Sequence, residues 1–144
     1  MRLVGKLGIA GALLIIFFGL AACQTDSRKQ LLAASESQVA LRSIQTRAFD
    51  TTDKEQTLRT IIATLQDLGF VIDKADATLG TVSGTKLDKY VLRMTVSVRP
   101  RGETQLLVRA NAQFNIYPVE DPEPYQQFFA ALGKAMFLAA HEVE

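Results

Sequence analysis

The chain has 144 residues, of which 48% are hydrophobic and 22% charged, with 16 basic and 15 acidic side chains and a single cysteine. That length suits one globular domain with short appendages, and one cysteine forms no internal disulfide. A charge so close to zero excludes nucleic-acid recruitment by bulk electrostatics, leaving local basic patches as the only such surface.

Arg2 and Lys6 precede Leu7–Leu20, a run without charge, followed by Ala21, Ala22 and Cys23. A charged start, an apolar middle and a small-residue exit are the layout of a secretory signal. As a helix, Leu7–Leu20 would extend about 21 Å, short of the roughly 30 Å of bilayer hydrocarbon, so a transmembrane anchor is the poorer reading. Loss of residues 1–22 would remove Arg2 and Lys6 and leave 14 basic against 15 acidic side chains.

Leu20-Ala21-Ala22-Cys23 resembles the lipobox of bacterial lipoproteins. The resemblance implies a diacylglyceryl group on the Cys23 thiol, cleavage before Cys23 and acylation of the new amino terminus. It further implies an address: Gln24, not being Asp, permits transfer to the outer membrane, with the domain held at its periplasmic face. Two or more acyl chains suffice for stable anchoring at about 0.8 kcal/mol per buried methylene, whereas a single chain binds reversibly.

Residues 23–38 mix Ser, Gln and charge around one apolar pair, Leu31-Leu32, and are expected to form a flexible tether, with a short helix from Ser27 to Ser35 as the variant. The α+β domain is expected over residues 39–144. A first strand is predicted over 39–49 (VALRSIQTRAF), rich in residues that favour the extended state. Thr52 can then cap a helix, with Glu55 answering three residues later. Leu58, Ile61, Ile62, Leu65 and Leu68 follow at helical spacing, and Gly69 can close the helix in the left-handed conformation.

Strands are predicted over 70–73 and 80–86, joined by a turn at 75–79. The segments 90–100 and 104–114 alternate strictly, with Tyr90, Leu92, Met94, Val96 and Val98 on one face of the first and Leu106, Val108, Ala110, Ala112 and Phe114 on one face of the second, so that one sheet face is expected to be buried. Pro100-Arg101-Gly102 reads as the hairpin loop between them. That register places Arg99 opposite Glu103 and Arg93 opposite Arg109. Pro122, Glu123 and Pro124 suit the first turn of a last helix running to about Ala140, whose stripe is Tyr125, Phe128, Phe129, Leu132, Met136 and Ala139.

The expected architecture is therefore α+β: one antiparallel sheet of about five strands with two helices packed on one face, in the order β-α-β-β-β-β-α. In topology alone it is similar to the helix-on-sheet domains of outer-membrane lipoproteins of the BamC type.

No catalytic constellation is legible. His141 is the sole histidine, close to the end of the chain and without a second metal-ligating residue near it in sequence. Glu120, Asp121 and Glu123 lack the spacing of a calcium loop and suit a helix start. Gly80–Gly84 has no phosphate-loop lysine, and Asp67, Asp73, Lys74 and Asp76 read as solvated element ends. Arg93, Arg99 and Arg109, set among Thr95, Ser97, Gln105 and Asn111 on the polar sheet face, are candidates for a partner-docking face, because arginine forks suit carboxylates and phosphates.

The expectation is a lipid-anchored, non-catalytic accessory or scaffold protein of the cell envelope. It would hold the membrane through Cys23 and meet an envelope protein partner, with no nucleic acid, metal or cofactor. The alternative is a carrier of lipid or a small hydrophobic ligand, with Phe128, Phe129, Met136 and Phe137 lining a cleft.

Overall fold

The computed structural model describes residues 28–87 and 89–141. Among the described residues, those from Leu41 onward pack as one compact unit, and residues 28–40 belong to another. The fold is α+β, with one antiparallel sheet and helices on one of its faces. Helix α1 occupies residues 28–44, followed by β1 (Thr46–Phe49), α2 (Lys54–Asp67), β2 (Val71–Asp76), β3 (Thr81–Leu87), β4 (Val91–Arg101), β5 (Gln105–Phe114), β6 (Tyr117–Pro118) and α3 (Glu123–His141). The strands lie in the order β1-β5-β4-β3-β2, and the short β6 also pairs with β5. All pairings are antiparallel.

Two differences from the sequence expectation concern the first fifty residues. Residues 28–38, expected as tether with a short helix over Ser27–Ser35 as the variant, are helical throughout, and so are residues 39–44, expected as the start of a strand. The reason for the second lies in Leu41 and Ile44, three residues apart, which pack on the core from one helix face. Gln45 is the joint between the two elements. Its N–H donates to Leu41 O at 3.1 Å, ending the helix, and its carbonyl accepts from Ala110 N at 2.9 Å, starting the sheet.

Helix α2 begins one residue later than expected. Asp53 is the N-cap and accepts from Gln56 N at 2.9 Å, while Thr51 Oγ1 accepts from Asp53 N at 3.2 Å. Glu55 pairs with Arg59 instead of closing a capping box. At the other end Gly69, with φ of 87°, donates to Gln66 O at 2.9 Å, and Phe70 N donates to Leu65 O at 2.9 Å. Those two bonds make a Schellman ending. Phe70 and Leu65 are both buried beside it.

The buried face of α2 is Thr57, Leu58, Thr60, Ile61, Thr64 and Leu65, with Ile62 and Leu68 at its margin. It is thus turned toward a row of threonines that a hydrophobic stripe does not count. Each threonine hydroxyl donates to the carbonyl four residues earlier: Thr57 to Asp53, Thr60 to Gln56 and Thr64 to Thr60, at 2.7, 2.9 and 2.8 Å. The polar atom is satisfied within its own helix, and the methyl is left to pack.

The sheet alternates as expected except at one end, where Tyr90 and Phe114, expected on the buried face, are exposed. Met94, Val96 and Val98 of β4 and Leu106, Val108, Ala110 and Ala112 of β5 face the helices and are buried. Tyr125, Phe128, Phe129 and Leu132 of α3 cover them together with α2. The β4–β5 register, however, differs from the expected one. Arg93 stands opposite Gln113, Ser97 opposite Arg109 and Arg99 opposite Leu107, and the loop is Gly102–Thr104, with Gly102 at φ of 62°. Pro100 lies within β4, paired with Leu106. Val98 N donates toward the β3 side, to Gly80 O at 2.8 Å. Two residues on, the position where Pro100 lacks an N–H faces the same way, past the start of β3 at Thr81, so no ladder bond is lost.

Candidate functional site

The open face of the sheet carries the three candidate arginines, and the structure separates them. Arg93 belongs with β2 and β3: its Nε lies 4.0 Å from Asp73 Oδ2, which also accepts from Thr85 Oγ1 at 2.6 Å. Asp73 sits where the β2–β3 register shifts, between Ile72 and Lys74. Arg99 and Arg109 are instead diagonal neighbours on β4 and β5. With Ser97, Leu107 and Asn111 they line a hollow of about 250 Å³. The expected confrontation of Arg93 with Arg109 is therefore corrected. The true pairing moves by an even number of residues, which keeps every side chain on its face and so leaves the alternation pattern silent about it.

Behind Arg109 lies a buried polar knot. Arg109 Nη2 donates to Gln45 Oε1 at 3.5 Å, and Gln45 Nε2 donates to the Tyr125 hydroxyl at 3.2 Å. The same hydroxyl accepts from Ala112 N at 3.2 Å and donates to Val119 O at 2.8 Å. Tyr125 thus uses its donor and both acceptor sites. Gln45 is 5% exposed and Tyr125 fully buried.

A second surface was not singled out in the sequence. At the end of the sheet where β3 meets β4 and β5 meets β6, Leu87, Tyr90, Val91, Phe114, Ile116 and Tyr117 are all exposed, Leu87 and Ile116 by 79% and 78%. Their pairings set Leu87 and Val91 on the open face of that end and Phe114 and Tyr117 on the helix face. Leu87 pairs with Val91, Phe114 with Leu92 and Tyr117, and the Tyr90 and Phe114 rings meet edge to face at 5.9 Å. Asn115, at φ of 54°, makes the β5–β6 turn and donates to Val91 O at 2.9 Å, tying the two loops together. Lys86, Lys89, Glu123, Pro124 and Gln127 border a hollow of about 320 Å³ beside Tyr90 and Phe114. The available signal was the apolar Leu87, Tyr90, Ile116 and Tyr117 in positions that the hairpins make into loop tips.

The residues expected to line a carrier cleft divide. Phe128 and Phe129 are core, with their rings edge to face at 5.1 Å. Met136 and Phe137 do line a groove of about 590 Å³ between the start of α2 and the end of α3, with Phe49, Thr57, Gly133 and Ala140. His141 stacks on Phe137 at 4.2 Å, and its Nδ1 lies 2.7 Å from Phe137 O, on an exposed turn. Among the described residues no three His, Cys, Asp or Glu side chains come close enough together to hold a metal ion. Asp121 accepts from Glu123 N at 2.9 Å in the turn into α3, and Asp76 accepts from Leu79 N at 2.8 Å. Both carboxylates serve local backbone.

Cys23 and the apolar run before it lie outside the described residues. Among the described residues no helix is long and apolar enough to cross a membrane. No family model matches the chain, and no curated protein matches it in sequence. Among solved structures the chain is similar to a DUF4468 family protein from Bacteroides ovatus ATCC 8483, at 11% identity and a TM-score of 0.30, over 66% of this chain and 81% of that one.

Proposed function

We propose that this chain is a cell-envelope lipoprotein, anchored through Cys23 at the periplasmic face of the outer membrane, that acts as a non-catalytic accessory or scaffold by contact with another envelope protein. The anchor rests on the Leu20–Cys23 lipobox. The contact rests on one observation, the apolar end of the sheet: six large hydrophobic side chains, two of them tyrosines, left exposed around one end of the sheet. Tyr90, Phe114 and Tyr117 are its adjoining aromatic part; exposed apolar patches are a mark of interaction sites, and aromatic anchors carry much of the energy in protein interfaces. The charges around it favour a protein over a lipid surface. Exposed Glu120, Asp121 and Glu123 follow β6 directly and Lys86 and Lys89 flank Leu87, a rim of both signs like the polar rim around the apolar centre of a protein interface.

Photo-crosslinking in intact cells tests this. A crosslinker at Tyr117 should yield a discrete adduct with one envelope protein, lost when Leu87 and Ile116 are both changed to Asp, and one at Arg59 on the exposed side of α2 should not. Adducts to lipid alone, or equal adducts from both positions, would overturn the reading. Because both substituted residues are largely exposed, the thermal midpoint should hold within the effect of about 0.5 kcal/mol expected of surface changes.

A second reading, a carrier of a small hydrophobic ligand, draws on the groove lined by Met136 and Phe137. Lipid co-purifying in fixed proportion, and released by Phe137→Asp, would favour it over the scaffold.

A further inference from the structure

Arg99 and Arg109 form the less expected of the two surfaces. They are diagonal neighbours of like charge on adjacent strands of the open face, within reach of each other for side chains this long, so that a bound anion would relieve their repulsion. Among the described residues no carboxylate lies within 4.0 Å of either guanidinium, whereas Arg59 and Arg93 each have one. The contact of Arg109 with Gln45 Oε1, at 3.5 Å, orients that guanidinium through the buried knot without cancelling its charge. The hollow between the two adds the Ser97 hydroxyl and the Asn111 amide as further donors and the Leu107 side chain as an apolar wall.

We propose that this hollow is a receptor for a side-chain carboxylate of an acidic peptide segment. Two guanidinium forks present paired N–H donors to a planar, two-oxygen acceptor. At about 250 Å³ the hollow is small, suited to a short projecting group rather than a whole small-molecule ligand. Leu107 can cover the methylenes that carry the carboxylate. The open face around it presents Thr95, Ser97 and Asn111, which offer a bilayer nothing to bury. The inference does not rest on the apolar end of the sheet, which lies at the β3–β4 and β5–β6 loops, whereas Arg99 lies toward the Gly102–Thr104 loop.

Full-length protein in a neutral detergent at low salt provides the test, with nitrogen-15 spectra of the arginine Nε–H groups as the readout. The probes are the acetylated, amidated tetrapeptide Ala-Glu-Glu-Ala, its counterpart with both Glu replaced by Gln, and inorganic phosphate. The Glu peptide should shift the Arg99 and Arg109 signals saturably. Arg99→Gln or Arg109→Gln should weaken that binding about tenfold or more, the loss expected for a charge-assisted hydrogen bond, and Arg93→Gln by less than about twofold. Failure to saturate, an equal response to the Gln peptide or to phosphate, or an equal loss on Arg93→Gln would each overturn the proposal. An unchanged thermal midpoint of the two sensitive variants separates lost binding from lost folding.

Discussion

Tyr125→Phe removes one oxygen from the protein interior and leaves the ring, so its effect isolates the polar knot. Three hydrogen bonds end on that oxygen, from Ala112 N and Gln45 Nε2 and to Val119 O, and the residue is fully buried. A hydrogen bond of this kind contributes about 0.5–1.5 kcal/mol net, and partners left buried without one cost more, so the substitution should destabilise the domain by about 2–4 kcal/mol. At about 4–8 °C per kcal/mol for a domain near a hundred residues, the midpoint should fall by about 10 °C or more. Thermal and urea unfolding followed by far-ultraviolet circular dichroism measures it. Gln45→Leu supplies the control, because it deletes one of the three partners: in that background Tyr125→Phe should cost about 1 kcal/mol less. A loss below about 0.5 kcal/mol together with strict additivity would refute the claim that this hydroxyl ties α3 to β5.

Gly80→Ala should destabilise the fold by about 1–3 kcal/mol, because Gly80 has φ of 69° and a Cβ there would come 2.7 Å from the Val98 carbonyl. A variant as stable as the parent in urea would contradict that close approach. Leu65→Ala empties a fully buried position of α2 and should cost about 2–5 kcal/mol in the same assay. A cost under about 1 kcal/mol would mean that α2 does not pack as described.

How much of this was legible in the sequence depends on which physical signal each feature leaves. The sheet faces were readable because residues two apart share a side, and Met94, Val96 and Val98 alternate without a break. The register was not, since that periodicity is unchanged by an even shift, and Pro100 pointed to a turn while standing where no ladder bond is needed. The α2 threonines were hidden because a hydroxyl bonded to its own helix behaves as buried surface. Residues 39–44 carry β-favouring side chains, yet Leu41 and Ile44 reach the core only at helical spacing, a tertiary demand with no local mark. At the arginine face the residue types were readable, but not which two of the three would share a hollow. The apolar end was least visible, because only pairing brings Phe114 to Tyr117 and Leu87 to Val91.

One consequence concerns how this domain can be approached by another chain. One flank of the sheet is divided: β1 covers Leu106–Arg109 of β5, and β6 covers Gln113 and Phe114. The opposite flank, β2, is interrupted at Asp73. Neither border offers a long, regular row of main-chain donors and acceptors on which a foreign segment could extend the ladder. The domain resists end-on polymerisation for the same reason, and recognition falls to side chains on its loops and open surface.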